Sequence, residues 1–177
     1  MISVVISGPE STGKSTLTQQ LSKHFNTFGQ EEYARIYVER LGRKYNFHDV
    51  ETIARRQCAL FKRQLQISDI NQLVFFDTFL IISKVWFQEV YGKCPIWLHL
   101  SIQTFKPNLV LLCLPDLQWN YDGVRENESR RNYLFDCYRK EFDYYNIEYK
   151  LVDGFGEERL LKAINYVNEW LSLNHKS

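Results

Sequence analysis

A glycine-rich segment close to the N-terminus constrains this 177-residue chain more than any other feature. Residues 8–15 match the phosphate-binding pattern GxxxxGK(S/T) in full and read Gly8-Pro9-Glu10-Ser11-Thr12-Gly13-Lys14-Ser15. The apolar run at residues 2–6 precedes the motif, and a helix-compatible segment at residues 14–25 follows it. This order of strand, loop and helix is the context that a phosphate-binding P-loop requires. The sequence therefore predicts that the chain binds a phosphorylated ligand where its first strand ends.

The residue types of this loop explain how it would hold a nucleotide. Glycines allow successive backbone N–H groups to point at one anion, and the N-terminus of the following helix adds partial positive charge. Lys14 is expected to reach the β- and γ-phosphate oxygens, and the Ser15 hydroxyl is expected to ligate Mg²⁺. The predicted cofactors are therefore ATP and Mg²⁺. The residues assigned to nucleotide binding here are Gly8, Glu10, Ser11, Thr12, Gly13, Lys14, Ser15 and Thr16.

Strand-like and helix-like segments alternate along the rest of the chain. The predicted strands after the first lie at residues 73–76, 108–114 and 148–152, with a short one that ends at residues 31–33. Helices are predicted at residues 50–69, 79–90, 127–145 and 157–172. Near-continuous apolar strands separated by helices are typical of a parallel sheet covered on both faces. We expect one domain over residues 1–177, a three-layer, doubly wound α/β fold with about five parallel strands, helices on both faces and an arginine-bearing lid at about residues 115–132.

Composition argues against several other classes of protein. The formal net charge is +1 and no long basic run occurs, so nucleic acid is not an expected partner. The four cysteines form no CxxC pair and the four histidines form no HxH or HxxxH spacing, which argues against a zinc site. No apolar run approaches the roughly 20 residues that span a bilayer. We expect a cytoplasmic protein without a signal peptide or a membrane partner, and its oligomeric state stays open.

Two carboxylates follow predicted strands at the edge of the sheet where the P-loop lies. Asp77 ends a buried apolar strand, where P-loop proteins place an acidic residue near the metal held by the Ser15 hydroxyl. Capping of the next helix is the alternative for Asp77. Glu32 is expected at the end of the second strand, facing the cleft, where it could accept the proton of an attacking hydroxyl. Glu31 is less favoured because only one of two successive strand residues points inward, and pairing of Glu32 with Arg35 at the surface is the alternative.

The segment after the fourth predicted strand combines residue types that suit a binding lid. Trp119 offers a flat face for a ring, and Asp122 can hold a ribose diol or orient an arginine. Arg125, Arg130 and Arg131 lie at or near the start of a helix, where arginines can neutralise a transferring phosphoryl group and exclude water. We assign Arg125 to catalysis and Arg130 and Arg131 to nucleotide binding. A solvated helix face shared with neighbouring glutamates is the alternative for these arginines.

Two further positions carry a weaker signal. Gln57 shares a helix face with apolar residues and must find a hydrogen-bond partner, either the substrate or nearby backbone. The loop at residues 153–156 follows the last strand, which is the usual place for a base pocket in this fold. Phe155 in that loop is a candidate to cover adenine.

Together these elements resemble the ribosylnicotinamide kinase domain of the NadR-type proteins, within the P-loop kinases, over about residues 1–165. The matching stretches are Gly8-x-Glu10-Ser11-x-Gly13-Lys14-Ser15-Thr16, Glu32-Tyr33-x-Arg35, Phe76-Asp77-Thr78 and Trp119-x-x-Asp122-Gly123-x-Arg125. The resemblance implies ATP-dependent phosphorylation of the 5′-hydroxyl of nicotinamide riboside, which yields nicotinamide mononucleotide. The implied catalytic residues are Lys14, Glu32, Asp77 and Arg125, and the implied metal ligands are Ser15 and Asp77. The implied substrate contacts are Glu32, Tyr33, Arg35, Gln57, Asp122 and Trp119, the last stacked on the pyridinium ring.

The chain departs from the bifunctional members of that family. It has no room for a separate adenylyltransferase domain, and none of its histidines forms the HxGH signature of that activity. A stand-alone kinase domain is therefore implied.

Other P-loop functions stay open beside a kinase of nicotinamide riboside. A kinase of another nucleoside or small alcohol can use the same fold. A regulatory P-loop ATPase that binds protein partners is a second alternative. A GTPase is disfavoured because Leu114-Pro115-Asp116-Leu117 stands where an Asn-Lys-x-Asp motif would read guanine.

Overall fold

The computed structural model describes residues 1–69, 71–120 and 128–174. Over these residues the chain forms five β-strands and seven α-helices. In chain order they are β1 (Ile2–Ser7), α1 (Lys14–His24), β2 (Phe28–Gln30), α2 (Tyr33–Leu41), α3 (Phe47–Ile67), β3 (Leu73–Asp77), α4 (Leu80–Tyr91), α5 (Ile96–Thr104), β4 (Leu109–Cys113), α6 (Arg131–Tyr144), β5 (Tyr149–Val152) and α7 (Gly156–Asn174). A short 3₁₀ turn, Glu128–Arg130, leads into α6.

The strands build one parallel sheet in the order β2-β3-β1-β4-β5. β1 pairs with β3 on one side and with β4 on the other, so Ile6 lies between Asp77 and Leu111. The chain reverses its direction of winding at β1, and open α/β sheets bind ligands in the crevice at such a switch point. The P-loop leaves the sheet at this point. The predicted doubly wound fold of five parallel strands is confirmed.

Each face of the sheet carries its own apolar cluster because successive strand residues point to opposite faces. On one face, Val5 and Leu112 belong to a cluster that includes side chains of α3, α4, α5 and α6. On the other face, Ile6 and Phe75 pack in a second cluster with side chains of α1 and α7. The three layers therefore follow from the apolar strands, which can be buried only if helices cover both faces.

The region after β2 differs from the prediction. β2 ends at Gln30, and Tyr33 is already the first residue of helix α2, so the predicted strand end at residues 31–33 is wrong. Glu32 is the N-cap residue of α2. The argument from alternating strand faces therefore does not apply to Glu32, which the start of a helix orients instead.

Helix α2 is anchored to α3 by one buried carboxylate. Asp49 accepts two hydrogen bonds from the Arg43 guanidinium, at 2.7 and 2.9 Å, and one from the Tyr37 hydroxyl at 2.9 Å. It also closes a capping box with Asn46 at the start of α3. The hydrogen bonds from Arg43 hold the pKa of Asp49 well below its usual range. This anchor fixes the helix that begins directly after Glu32.

Two negative findings apply to the described residues. None of their helices is both long enough and apolar enough to cross a bilayer. Their histidine, cysteine, aspartate and glutamate side chains form no group of three or more that could hold a metal ion. The cysteines are free thiols, two of them buried (Cys58 and Cys113) and two half-buried (Cys94 and Cys137).

Candidate active site

The loop between β1 and α1 has the backbone conformation that a phosphate cradle needs. Gly8, Ser11 and Gly13 have φ angles of +142°, +55° and +74°. A Cβ atom on Gly8 would lie 2.6 Å from the carbonyl oxygen of Cys113, so only glycine fits at that position. These positive φ angles curl the chain tightly, so that successive N–H groups can converge on one anion.

Lys14 opens α1 and folds back over the loop. Its Nζ atom donates a hydrogen bond to the carbonyl oxygen of Pro9 at 2.7 Å, and the Thr12 hydroxyl donates to the same carbonyl at 2.9 Å. The described first turn of α1 carries no acidic residue, so the positive end of the helix dipole is not offset there. The loop therefore presents a positive side chain and a positive helix end to the same region.

Asp77, the last residue of β3, lies beside the P-loop. The register between β1 and β3 puts it opposite Ile6, and its side chain is almost fully buried. Burial raises the pKa of Asp77, while the charge of Lys14 and a hydrogen bond from the Ser15 hydroxyl lower it. The N-cap residue of α4 is Phe79, so the alternative role of Asp77 as a helix cap is not realised.

The Asp77 and Ser15 side chains fit a hard cation. The buried Oδ1 atom of Asp77 has no hydrogen-bond partner among the residues that the structure describes. Mg²⁺ prefers oxygen ligands, keeps several waters and is commonly held by one or two protein oxygens together with phosphates. The buried carboxylate of Asp77 and the hydroxyl of Ser15 offer two such oxygen ligands beside the P-loop.

Glu32 is half-buried and lies among the charges of the loop. Burial raises the pKa of its carboxyl group to about 7, and the negative charges of Asp77 and Glu10 add to the rise. The positive charges of Lys14 and Arg35 lower that pKa. A carboxyl group that titrates near neutrality is suited to accept a proton at physiological pH. The fold therefore brings Glu32 together with Lys14 and Asp77, as the sequence predicts.

The first turn of α2 places Arg35 and Tyr33 differently. Arg35 lies close enough to Glu32 and Asp77 for its charge to lower the pKa of both. Tyr33 is half-buried, and the Arg56 guanidinium of α3 lies 5.9 Å from the centroid of its ring. Arg35 thus belongs to the charged centre of the site, whereas Tyr33 lies against α3.

The side-chain amide of Gln57 in α3 forms hydrogen bonds with two side chains close to the site. Its Nε2 atom donates to the Thr78 hydroxyl at 2.9 Å, and its Oε1 atom accepts from the Ser83 hydroxyl at 3.1 Å. Thr78 directly follows Asp77 and has a positive φ of 71°. Gln57 also lines a narrow cavity with Asp77. These contacts assign Gln57 to the support of the strand end that carries Asp77; a substrate contact stays a prediction.

The first part of the lid rests directly on the P-loop. The Ser11 hydroxyl donates to the carbonyl oxygen of Asn120 and accepts from the Asn120 N–H, both at 3.1 Å. The Arg131 guanidinium donates to the carbonyl oxygens of Leu117 and Ser11 at 2.8 and 3.4 Å. Trp119 is half-buried, with the Arg131 guanidinium 6.0 Å from the centroid of its ring. Trp119 and Arg131 are therefore brought to the phosphate loop.

Other lid residues are placed elsewhere. Arg130 forms an ion pair with Glu89 of α4, and its guanidinium lies 5.2 Å from the centroid of the Tyr133 ring. It therefore contacts α4, and its predicted role in nucleotide binding stays a prediction. Asp122 and Arg125 lie outside the described residues.

Sequence reasoning missed two residues near the P-loop. Arg159 of α7 is almost fully buried and donates to the Thr12 carbonyl oxygen at 3.0 Å. Tyr138 of α6 is buried close to Glu10 and Glu32, and its pKa is raised mainly by burial and further by these charges. Both were predicted only as parts of helices, because a buried partner more than 100 positions away leaves no local pattern. Phe155 is 63% exposed, and its predicted role in covering adenine stays a prediction.

Comparison with known protein families gives one match over most of the chain. The sequence model of a family described as an AAA domain matches residues 3–159.

Two curated relatives align with nearly the whole chain. Both are named trifunctional NAD biosynthesis/regulator protein NadR, one from Salmonella typhimurium and one from Escherichia coli. The chain is 25% and 27% identical to them over 181 residues, which cover 95% of this chain and 42% of each relative. The chain thus spans about two fifths of the length of these relatives.

Solved structures support the same fold. NadR protein in complex with NR has a TM-score of 0.83 at 24% identity, covering 96% of this chain and 51% of that chain. NadR protein in complex with NAD and AMP-PNP has a TM-score of 0.79 at 21% identity, covering 97% and 49%. Deoxyadenosine kinase from M. mycoides has a TM-score of 0.71 at 14% identity, covering 95% and 100%. The fold is that of the P-loop kinases, the predicted resemblance to NadR-type proteins is confirmed, and the chain belongs to the family described as an AAA domain.

Proposed function

We propose that this chain is an ATP-dependent kinase that transfers the γ-phosphoryl group to the 5′-hydroxyl of nicotinamide riboside and forms nicotinamide mononucleotide. One observation carries the proposal: a carboxyl group with a pKa near neutrality, Glu32, lies beside Lys14 and Asp77 at the phosphate loop. The names of the two relatives and the NR bound in one similar structure support this choice of substrate. The chain's small net charge agrees with a small-molecule substrate.

Glu32 acts on the acceptor in this proposal. Its ionised carboxylate accepts the proton of the 5′-hydroxyl as the oxygen attacks the γ-phosphorus, and the β-phosphate oxygen leaves on the opposite side. Because phosphoryl transfer depends mostly on positioning and charge neutralisation, the base contributes only part of the rate. Arg35, which lowers the pKa of Glu32, helps to keep the carboxylate ionised.

The P-loop side of the cleft neutralises the phosphates. Lys14 exchanges its hydrogen bond with the Pro9 carbonyl oxygen for the β- and γ-phosphate oxygens. Ser15 and Asp77 would hold Mg²⁺, which supplies positive charge to the same oxygens. The Arg131 guanidinium already donates to the carbonyl oxygens of Ser11 and Leu117. When the lid is closed over the P-loop, this guanidinium therefore reaches the phosphates without a large movement.

Trp119 gives the site its preference for a flat, cationic ring. A nicotinamide ring stacked on the indole gains cation–π attraction of about 1–2 kcal/mol once water is excluded. A neutral nucleobase would keep the stacking and lose that attraction. A kinase of another nucleoside is therefore the second candidate, and the likeness to a deoxyadenosine kinase over that protein's whole length favours it.

A coupled ADP-release assay tests the proposal. Mg²⁺-ATP is supplied with nicotinamide riboside, with each common nucleoside and with no acceptor, and mass spectrometry identifies the product. Turnover with nicotinamide riboside alone is the expected result. Turnover with another nucleoside keeps the kinase and discards the substrate, while slow hydrolysis that no acceptor accelerates favours a regulatory ATPase.

Two variants of the same helix serve as controls. Lys14→Ala removes the amine from the P-loop end of α1, and Lys23→Ala removes the same side chain from the exposed far end. An undiminished rate of ADP release in Lys14→Ala would refute the role of Lys14 in the transfer. ADP release that Lys23→Ala abolishes points to damage of the fold.

A further inference from the structure

Arg159 is a buried cation that takes no part in the phosphoryl transfer proposed above. It lies in the first turns of α7 and is 5% exposed. A guanidinium removed from water is costly unless its donors are satisfied and its charge is paired. The contacts that Arg159 makes therefore indicate what it holds in place.

The guanidinium joins three loops at the carboxyl end of the sheet. One nitrogen donates to Asp116 Oδ1 and to the Gly154 carbonyl oxygen, both at 2.9 Å. The other donates to the carbonyl oxygens of Thr12 and Leu114 at 3.0 and 3.3 Å. Asp116 Oδ2 also accepts the N–H of Gly154 at 2.8 Å. Asp116 thus pairs the charge of Arg159 and fixes the loop that follows β5.

The contact with Thr12 decides the orientation of one P-loop peptide. In a planar trans peptide the carbonyl of one residue and the N–H of the next point in opposite directions. The described chain has no cis peptide, so the Gly13 N–H points away from Arg159. Gly13 also has a φ of +74°, and glycine tolerates both signs of φ, so its own backbone would allow this peptide to flip. The hydrogen bond from Arg159 selects one of the two orientations.

We infer that Arg159, held by Asp116, is a positioning residue that orients the Gly13 N–H toward the β-phosphate of the nucleotide. This inference rests on the proposed binding of a nucleotide by the P-loop. Arg159 touches no phosphate and acts only through the Thr12–Gly13 peptide. If Arg159 had a merely structural role, its substitution would weaken the binding of AMP and of ADP to the same extent.

The test compares nucleotides that differ in the β-phosphate. Dissociation constants for AMP, ADP and a non-hydrolysable ATP analogue are measured by calorimetry on the wild type, Arg159→Lys and Asp116→Asn. We expect ADP and the analogue to bind roughly 10- to 100-fold more weakly to both variants, the worth of one hydrogen bond to a charged group. AMP binding should change less than twofold. The KM for ATP should rise while the KM for the acceptor nucleoside stays unchanged.

A matched control lies one turn further along the same helix. Lys162 of α7 is half-buried and forms an ion pair with Asp153, and Lys162→Gln should leave all three dissociation constants unchanged. A loss for Lys162→Gln that equals the loss for Arg159→Lys would overturn the inference. So would unchanged ADP binding in folded variants, or an equal loss for AMP and ADP.

Thermal melting without nucleotide separates folding from positioning. Asp116→Asn keeps the shape of the side chain. If Arg159→Lys does not fold, the dissociation constants of Asp116→Asn test the inference instead. If neither variant folds, the role is structural and the inference is overturned. A wild type that binds no nucleotide refutes the proposed function itself, whereas normal binding by the wild type and by both variants refutes only the role of Arg159.

Discussion

Glu32→Gln gives the sharpest test of the proposed chemistry, because we expect the charge of this one carboxylate to change both the rate and the free energy of unfolding. With a pKa of about 7, about one tenth of Glu32 is ionised at pH 6 and about one hundredth at pH 5. If the ionised form is the base, the wild-type rate should fall about tenfold per pH unit below 7. The variant has no such group, so its rate should be lower by roughly 10²- to 10⁴-fold at pH 8 and should not follow this titration.

The assay measures ADP release between pH 5 and 8.5 with both substrates well below their KM values. Under these conditions the rate reports the free enzyme, so a bound nucleotide does not shift the pKa of Glu32. Dividing the wild-type rate by the Glu32→Gln rate cancels any titration of the substrates. Glu31→Gln is the matched control, because Glu31 is the exposed neighbour and should keep the wild-type profile. A ratio that does not change with pH would refute the reasoning.

The same variant should lower the rate but raise the free energy of unfolding at pH 8. The pKa of Glu32 in the folded chain lies above its ordinary value of 4.5, so the folded state binds this proton more tightly than the unfolded state. The wild type therefore loses stability as the pH rises from about 4.5 through 7. At pH 8 the free energy of unfolding of Glu32→Gln should exceed that of the wild type by up to about 3 kcal/mol, and the gain should vanish below pH 4. A less stable variant at pH 8, in urea unfolding without ligands, would contradict this account.

Three further substitutions test separate parts of the site. Lys14→Ala should lower kcat at least about 100-fold in the ADP-release assay, because a preorganised charge is lost, while the melting temperature stays near that of the wild type. Trp119→Ala should raise the KM for the nucleoside by an amount equivalent to about 1–3 kcal/mol, and an unaltered KM would place the indole outside the binding site. Asp77→Asn should raise the Mg²⁺ concentration for half-maximal rate roughly 10- to 100-fold, whereas Asp69→Asn, an exposed carboxylate before the same strand, should leave it unchanged.

Local sequence patterns predicted the structural elements that depend on residues close together in the sequence. The P-loop is read from eight successive residues, and the central strands are read from apolar runs that only a covered parallel sheet can bury. Asp77 was predicted at the end of a strand because it directly follows a continuous run of apolar residues. Helix α2 was missed because it is only nine residues long, none of its side chains is fully buried, and its first residue, Tyr33, was predicted as the end of a strand. Helix α5 was missed because Ile96 and Leu100 are exposed, which blurs the pattern of its buried face.

Tertiary structure decided the roles of side chains whose partners are far away in sequence. Gln57 finds Thr78 and Ser83 on another segment, a choice that its position on a helix face left open. Arg130 and Arg131 are adjacent in sequence, yet one pairs with Glu89 of α4 and the other reaches the P-loop, because successive helix residues point in different directions.

The sequence by itself determined the P-loop, the parallel sheet and the edge of the sheet at which the P-loop lies. A phosphate cradle is made of backbone N–H groups whose conformation depends on neighbouring glycines, and such a feature is visible in a short contiguous motif. Only the tertiary structure decided that Glu32 titrates near neutrality and that Arg159 lies beneath the P-loop. The physical reason is that a pKa depends on burial and on charges brought together by folding, and a buried cation is specified by carbonyl and carboxylate partners that the chain assembles from distant loops.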